Sequence, residues 1–424
     1  MELTQEQQAA MDAVVAWLAD WEPGRSAPHF VLCGYAGTGK TTLMNSLLDE
    51  VGGATCATMT GKAMNVLKSK IGKKATCRTI HNLLYKPSMY QEQRLVDERA
   101  ALVEKLEGAS KSAEQDLLRQ IAKLDNEIEG LSFALRDDAG SDSSGPIVVD
   151  EASMLSQYIL DDLYDLNRPL LLVGDDMQLP PVKGKSVFES LGVDARLTQI
   201  HRQALDNPIL ALATAIREGD ADTVNQWRRL RFDPGMASRA DKVLCYTNKT
   251  RHNINRMLRE ERGYAPHTPV KGDKLICVHN VKGYSMINGG EAVATRDFEN
   301  EYFTNLNKHM ARGWVAYEDK PESEHLCSVE NFLAHYHDPK KSRESRLVMD
   351  EATIPKMDQR YGDVRYFDYG YAITVHKAQG SEYDKVFLYD DAEWLAKRPG
   401  GMEQRQRWLY TAVTRAKEKL AWVK

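Results

Sequence analysis

Gly34-Tyr35-Ala36-Gly37-Thr38-Gly39-Lys40-Thr41 decides how this chain must fold. The run fits G-x-x-x-x-G-K-[ST], the phosphate-binding loop. An apolar run, Phe30-Val31-Leu32-Cys33, precedes it and reads as a buried strand; a helical pattern follows from Thr42 to Leu48. Strand, loop, helix is the order the motif needs. Its glycines let the backbone wrap an anion, so that N–H groups from Gly37 through Thr42 converge on phosphate. The helix start adds its partial positive charge. Lys40 is expected to reach the β- and γ-phosphates and the Thr41 hydroxyl to ligate Mg²⁺, which makes ATP and Mg²⁺ the expected cofactors.

The surrounding chain has 424 residues, enough for two to four domains, with 42% hydrophobic and 28% charged residues. That balance predicts a soluble globular protein. No apolar stretch approaches the roughly 18 residues of a membrane span, and the start, Met1-Glu2-Leu3-Thr4, does not read as a signal peptide. The six cysteines lack metal spacing and read as reduced thiols of a cytoplasmic protein. A net charge of −5 neither requires nor excludes nucleic-acid binding, which needs only a local basic groove.

Strands and helices alternate in the first part, which predicts a parallel sheet with helical crossovers. Ile147-Val148-Val149 and Leu170-Leu171-Leu172-Val173 read as further buried strands, each followed by acidic residues. Late strands at Lys242 to Tyr246, Lys385 to Tyr389 and Ala421 to Val423 predict a second α/β domain. A polar, turn-rich stretch from about Thr268 to Phe367 interrupts it. One segment differs in kind. Leu117, Ile121, Leu124, Ile128, Leu131 and Leu135 step by four and three, a coiled-coil seam. Val96, Val103 and Leu106 give a weaker stripe, with a turn at Gly108 to Ser112 between the two. An antiparallel helical hairpin is therefore expected, either as a spacer or docking arm for a protein partner or as a wedge between duplex strands.

The chemistry gathers after the strands. Asp150 is placed to hold Mg²⁺, and Glu151 to orient and deprotonate water. In Gly174-Asp175-Asp176-Met177-Gln178-Leu179-Pro180-Pro181, Gln178 carries an amide able to sense the γ-phosphate or the attacking water.

Two C-terminal runs then specify the kind of nucleotide hydrolase. Thr374-Val375-His376-Lys377-Ala378-Gln379-Gly380-Ser381-Glu382 and Leu409-Tyr410-Thr411-Ala412-Val413-Thr414-Arg415-Ala416-Lys417 resemble motifs V and VI of superfamily-1 helicases. Leu3 to Gln7 resembles the Q motif, Thr58 to Ala63 motif Ia, Thr79-Ile80-His81 motif Ib, and Asp150-Glu151 and Gly174 to Pro181 motifs II and III. Leu197 to Gln203 and Tyr246 to Lys249 resemble the motif IV region. The wording is similar to the RecD and phage Dda branch. Where that branch often carries a short β-hairpin between motifs Ib and II, this chain has the expected helical hairpin. The segment from about Asn300 to Phe367 matches no pattern.

The resemblance implies two RecA-like domains, residues 1–86 with 140–205 and residues 206–266 with 368–424. The heptad pattern places the helical hairpin insertion at 87–139, and the resemblance implies an SH3-like β-barrel insertion within 267–367, marked by Gly272-Asp273, Asn280 and Asn288 to Glu291, together with the divergent segment. ATP would lie between the two domains. Gln7 would read adenine, Arg202 and Arg415 would meet the γ-phosphate, Gln379 would contact the nucleotide, and Glu382 would touch the ribose. Thr60, Lys62, His81, Thr374, His376 and Lys377 would contact single-stranded DNA by backbone and stacking, without sequence readout. His81 and His376 could equally be core histidines bonded to backbone carbonyls.

The expected protein is thus a functional monomer in a bacterial or phage-infected cytoplasm, translocating 5′ to 3′ on single-stranded DNA and unwinding tailed duplex. The alternative is a DNA-stimulated ATPase that clamps DNA or displaces bound protein without processive unwinding. A small-molecule P-loop kinase is disfavoured by motifs V and VI and by Glu151.

Overall fold

The computed structural model describes residues 3–24, 27–85, 135–136, 145–181, 186–200, 207–227, 230–264, 268–277, 289–303, 308–317, 322–328, 364–365 and 367–423, with single positions at 102, 117 and 120. Six strands form the first sheet: β1 (His29–Gly34), β2 (Thr55–Thr58), β3 (Thr76–Thr79), β4 (Ile147–Asp150), β5 (Leu170–Gly174) and β6 (Ala195–Leu197). All pair in parallel, in the order β3-β2-β4-β5-β1-β6. These strands read as unbroken apolar runs because both faces are covered. Along β1, Phe30 and Leu32 join one core with Leu43, Leu47, Val148 and Leu171, while Val31 and Cys33 join the other with Val149, Ile159 and Leu172. Helices of this half include α1 (Gln5–Ala19), α2 (Lys40–Val51), α3 (Gly61–Ile71) and α4 (Ile80–Leu84), with further short ones at Gln157–Tyr164 and Val187–Ser190. Since β4, β5 and β1 are neighbours and parallel, the turns after them open on one edge. Those turns are the phosphate loop, Asp150-Glu151 and the segment from Asp175.

The second half begins with α5 (Pro208–Glu218), β7 (Lys242–Cys245) and α6 (Asn248–Glu261). It then departs into a different sheet of β8 (Lys274–Cys277), β9 (Glu291–Ala294), β10 (Glu299–Phe303), β11 (Lys308–Tyr317), β12 (Ser323–Ser328), β13 (Val364–Arg365) and β14 (Phe367–Tyr369). These strands follow the path β13-β12-β11-β9-β8-β14, with β10 also on β11; pairing is antiparallel except between β12 and β13. The chain returns through β15 (Ala372–Thr374), α7 (Val375–Ala378), β16 (Tyr383–Tyr389), α8 (Gly401–Val413) and β17 (Ala416–Val423). β15, β7, β16 and β17 make a parallel four-stranded sheet.

The insertion is not a loosely tethered module. Val243, Ile254 and Phe387 of the parallel half share one core with Leu275, Phe298, Val315 and Tyr317. Two buried ion pairs reinforce the seam: Arg259 with Asp273, both fully buried, and Arg251 with Asp368. The insertion runs two residues past its expected end at 367. The β14–β8 ladder extends to Tyr369, and Asn255 pins the exit by donating to the Tyr369 and Ala372 carbonyls and accepting the Ala372 N–H.

The expected helical hairpin lies outside the described residues, apart from single helical positions at Leu102, Leu117 and Gln120. Its two ends do meet. Tyr85 and Leu135 form an antiparallel bridge, and the Arg136 N–H donates to the Leu84 carbonyl at 2.8 Å.

Candidate nucleotide and nucleic-acid site

Gly37 and Gly39 both adopt positive φ, +80°, the conformation that turns successive amides inward and that a side chain would oppose. Thr38 is buried and its hydroxyl donates to the Tyr35 carbonyl. Thr41 and Thr42 are half-buried in the first turn of α2. The Lys40 ammonium folds back, donating to the Gly34 and Tyr35 carbonyls at 2.6 and 3.1 Å.

Lys40 also exerts its charge on two carboxylates across the edge. Burial pushes Asp150 up to about 6, with Glu151 adding to the rise and Lys40 opposing it. Burial likewise raises Asp175 against the pull of Lys40. Asp150 accepts the Glu151 N–H at 3.0 Å. Glu151 itself sits at φ +55°, a strained position for a side-chain-bearing residue at the end of a strand. Gln178 is buried, and its Oε1 has no hydrogen-bond partner among the described residues. A buried polar atom left open in a cleft is suited to a ligand or an ordered water.

Gln7, expected to read adenine, has its side chain engaged within the first half. It is 1% exposed, its Oε1 closes a capping box with the Thr4 N–H, and its Nε2 donates to the Thr38 carbonyl at 3.0 Å. Its amide therefore holds the phosphate loop; reading adenine would require exchanging those partners. Glu6, one residue earlier, accepts from Thr198 and Gln199. Arg202 lies outside the described residues. Beside the loop, Ile200 and Leu210 line a cavity of about 290 Å³ with Thr214, Glu218, Asp220 and Thr223.

The second half closes over this edge. Tyr410 of α8 accepts the Ala36 N–H and donates to Asp175, and Thr411 accepts the Leu179 N–H at 2.9 Å. Gln379 donates to the Leu179 carbonyl at 2.8 Å rather than pointing free into the cleft, and Leu179 is buried in the core beneath Tyr410. Arg217 of α5 stacks 4.0 Å from the centre of the Tyr35 ring. Arg415 is buried within its own half, donating to the Thr411 and Ser381 carbonyls and to Thr414. Glu382 is exposed nearby.

On the other side, Thr60 caps α3, Thr374 caps α7 and is buried, and Lys377 is exposed. His81 packs against Tyr85 and His376 against Tyr246; burial lowers the pKa of both. Lys62 is the surprise. Its ammonium pairs with Glu291 of β9 at 2.5 Å and donates to the Tyr383 hydroxyl at 3.1 Å. Lys242, buried at the start of β7, takes the other oxygen of Glu291 at 2.9 Å. Burial brings Lys242 down to about 8 despite that partner. Glu291 is drawn to about 2, since Lys242 and Lys62 outweigh the opposing effect of its burial. Gly380 lies against the same seam at φ +72°, where an added Cβ would come within 2.8 Å of the Ala63 Cβ.

Tyr410, Asp175, Glu291, Lys242 and Tyr383 were not read from the sequence. Asp175 carried the one local signal, an acid directly after a buried strand. The others act through partners in distant parts of the chain.

Comparison with known proteins agrees with this geometry. Residues 2–231, more than half the chain, match the family model described as an AAA domain, and residues 369–423 match the UvrD-like helicase C-terminal domain. The chain is 27% identical over 412 residues to the ATP-dependent RecD2 DNA helicase of Deinococcus radiodurans, covering 92% of this chain and 46% of that protein. It is 26% identical to the RecBCD enzyme subunit RecD of Mycobacterium tuberculosis, covering 92% and 65%. The chain thus spans about half to two thirds of the length of these relatives. A crystal structure of Bacteroides Pif1 bound to ssDNA has the same fold, with a TM-score of 0.50, 16% identity, and coverage of 99% of this chain and 92% of that one.

Proposed function

We propose, for a chain that belongs to the AAA domain family and to the superfamily-1 helicases of the RecD and Pif1 type, that ATP hydrolysis drives 5′ to 3′ translocation on single-stranded DNA and unwinding of tailed duplex. The observation that carries the reading is the phosphate loop held between two halves. Lys40 faces Asp150 and Asp175 from one half, while Tyr410 and Thr411 reach the same edge from the other.

In this reading Lys40 leaves the Gly34 and Tyr35 carbonyls for the nucleotide phosphates. Thr41 and Asp150 offer hard oxygen donors, and the buried Asp150 carboxylate is a group that a cation would suit; they would hold Mg²⁺, which neutralises phosphate charge. Glu151 orients water, Gln178 senses the attacking water through its open amide oxygen or the γ-phosphate through its amide N–H, and Arg202 and Arg415 supply charge stabilisation, Arg415 after turning from its carbonyl partners. Gln379 and Glu382 serve the nucleotide side. Thr60, Lys62, His81, Thr374, His376 and Lys377 line the DNA path. The β8–β14 insertion serves as an SH3-like cover over that path, and the hairpin as a wedge or a docking arm. The protein acts as a monomer in the bacterial cytoplasm.

The deciding experiment compares 5′-tailed with 3′-tailed duplexes in the presence of ATP, beside an ATPase assay with and without single-stranded DNA. Unwinding of the 5′-tailed substrate alone is expected. Stimulated hydrolysis without unwinding would leave the clamp reading standing instead, and hydrolysis indifferent to DNA would sink both.

A further inference from the structure

Among the described residues, the helix that leads to Arg415 is hydrogen-bonded to the phosphate loop through one hydroxyl, that of Tyr410. Tyr410 is 1% exposed. Its oxygen accepts the Ala36 N–H at 3.0 Å, and its O–H donates to Asp175 Oδ2 at 2.7 Å. Asp175 Oδ1 accepts the Met177 N–H, which shapes the turn bearing Gln178. Thr411, the next residue on α8, accepts the Leu179 N–H. Two adjacent side chains of one half thus grip both ends of a turn that belongs to the other.

A phenyl ring would fill the same volume. The hydroxyl is needed because a loop amide and a fully buried carboxylate both require a partner. Ala36 lies inside the anion-binding loop, whose cation, Lys40, is also turned onto protein carbonyls. In this arrangement the loop satisfies itself, and an arriving phosphate must displace those internal partners. Lys40 and Ala36 change partners together, and only Ala36 is bonded to the second half.

We propose that Tyr410 is a positioning residue that transmits occupancy of the phosphate loop to α8, with Asp175 as its anchor. The proposal rests on the ATPase reading. When phosphate takes the Ala36 amide, α8 leaves the loop while Tyr410 keeps Asp175, and this remaining bond holds α8 in register with the turn bearing Gln178, the arrangement that hydrolysis needs. Arg415, held at the end of that helix by Thr411, Thr414 and Ser381, is then able to swing toward the nucleotide.

The test uses the full chain and the variants Tyr410→Phe, Asp175→Asn and their double. Steady-state ATPase is measured with and without oligo(dT). Hydrogen exchange is followed at residues 34–42 and 401–413 with and without a non-hydrolysable ATP analogue. Each single variant should lower DNA-stimulated kcat about tenfold, the effect of one charge-assisted hydrogen bond, with KM for ATP changing less than about threefold. The double should be no worse than the worse single variant, because both remove one chain of bonds. Analogue binding should alter exchange at 401–413 in the wild type and not in Tyr410→Phe, while 34–42 responds in both. If Asp175→Asn fails to fold, Tyr410→Phe, which changes no volume, carries the test. A wild type stimulated by DNA with Tyr410→Phe indistinguishable from it, or additive losses in the double, would overturn the coupling and leave the ATPase reading intact. A wild type that neither binds the analogue nor hydrolyses ATP would overturn both.

Discussion

Among the described residues, the two halves of this protein meet along two seams that differ in their chemistry. On the nucleotide side hydroxyls and amides lead, with Tyr410 on Ala36 and Asp175 and Thr411 and Gln379 on Leu179, beside a half-exposed ion pair of Arg407 with Glu189 and the Arg217 guanidinium on the Tyr35 ring. On the opposite side they are ions: Lys62 and Lys242 on Glu291, with Tyr383 donating to the same carboxylate. Such hydrogen bonds are each worth only about 0.5–1.5 kcal/mol net, or about 1.5–3 kcal/mol where the partner is a carboxylate as for Tyr410 and Asp175, and they exchange partners readily. A carboxylate between two lysines, one of them buried, is costly to open because it strands a charge. The nucleotide seam is thus suited to being remade at each turnover, and the ionic seam to holding until a competing charge arrives. On the function proposed above, a DNA phosphate would be such a charge for Lys62.

The sharpest way to break this contrast is Lys40→Ala. Removing the ammonium should lower ATPase by about 10²–10³-fold, the scale for losing one preorganised electrostatic partner, while the ionic seam stays as it was. Retained turnover would overturn the phosphate-loop assignment. Glu291→Gln addresses the other seam. It leaves Lys242 buried without its counter-charge, and the expected loss is about 3 kcal/mol in chemical unfolding, the low end for a broken buried pair because Glu291 is only half-buried. An unchanged midpoint would mean the seam contributes nothing to stability.

The pH dependence separates the partners. Glu291 is held near 2, below its ordinary 4.5. Its contribution is present above pH 4.5 and lost as pH falls through 2. Lys242 is held near 8, below its ordinary 10.5, so its burial penalty applies fully below pH 8 and is relieved as pH rises toward 10.5. Denaturation measured across pH should therefore show Glu291→Gln with a shallower loss between 4.5 and 2 than the wild type. It should also show a defect that shrinks as pH rises toward 8, because without Glu291 the buried Lys242 ammonium loses its proton at lower pH than in the wild type. Parallel curves for the two proteins would contradict the ion-pair account.

The same contrast explains what could be read before any coordinates. The phosphate loop, Asp150-Glu151 and the strands around them are local signals. The glycine pattern and the apolar runs of β1, β4 and β5 are each set by neighbours in sequence, and the parallel order then places their ends together. Tyr410 meets Ala36 across 374 residues, and Lys62 meets Glu291 across 229. Nothing in Lys242-Val243-Leu244-Cys245 says that its lysine is buried beside a carboxylate. The end of the insertion was misplaced by two residues because Phe367 to Tyr369 pair with β8 while the next strand, only three residues on, joins the parallel sheet. Roles given to Gln7 and Gln379 came from their motifs; their side chains are engaged elsewhere because, among the described partners, backbone carbonyls of Thr38 and Leu179 are within reach.

Gly380→Ala makes the smallest and most specific change to the contrast. The residue lies at φ +72°, where an alanine costs roughly 1 kcal/mol of backbone strain. The new methyl would also stand 2.8 Å from the Ala63 Cβ, and neither group can turn away. Ala63 follows Lys62 on α3, so the clash pushes directly on the ionic seam, whereas the Tyr410 contacts lie on the nucleotide side. The variant should therefore weaken single-stranded DNA binding several-fold in a fluorescence anisotropy titration and leave ATP analogue affinity within about twofold. A matching loss at both sites would mean that the two seams move as one body. In that case the chemical difference between them would have no mechanical consequence.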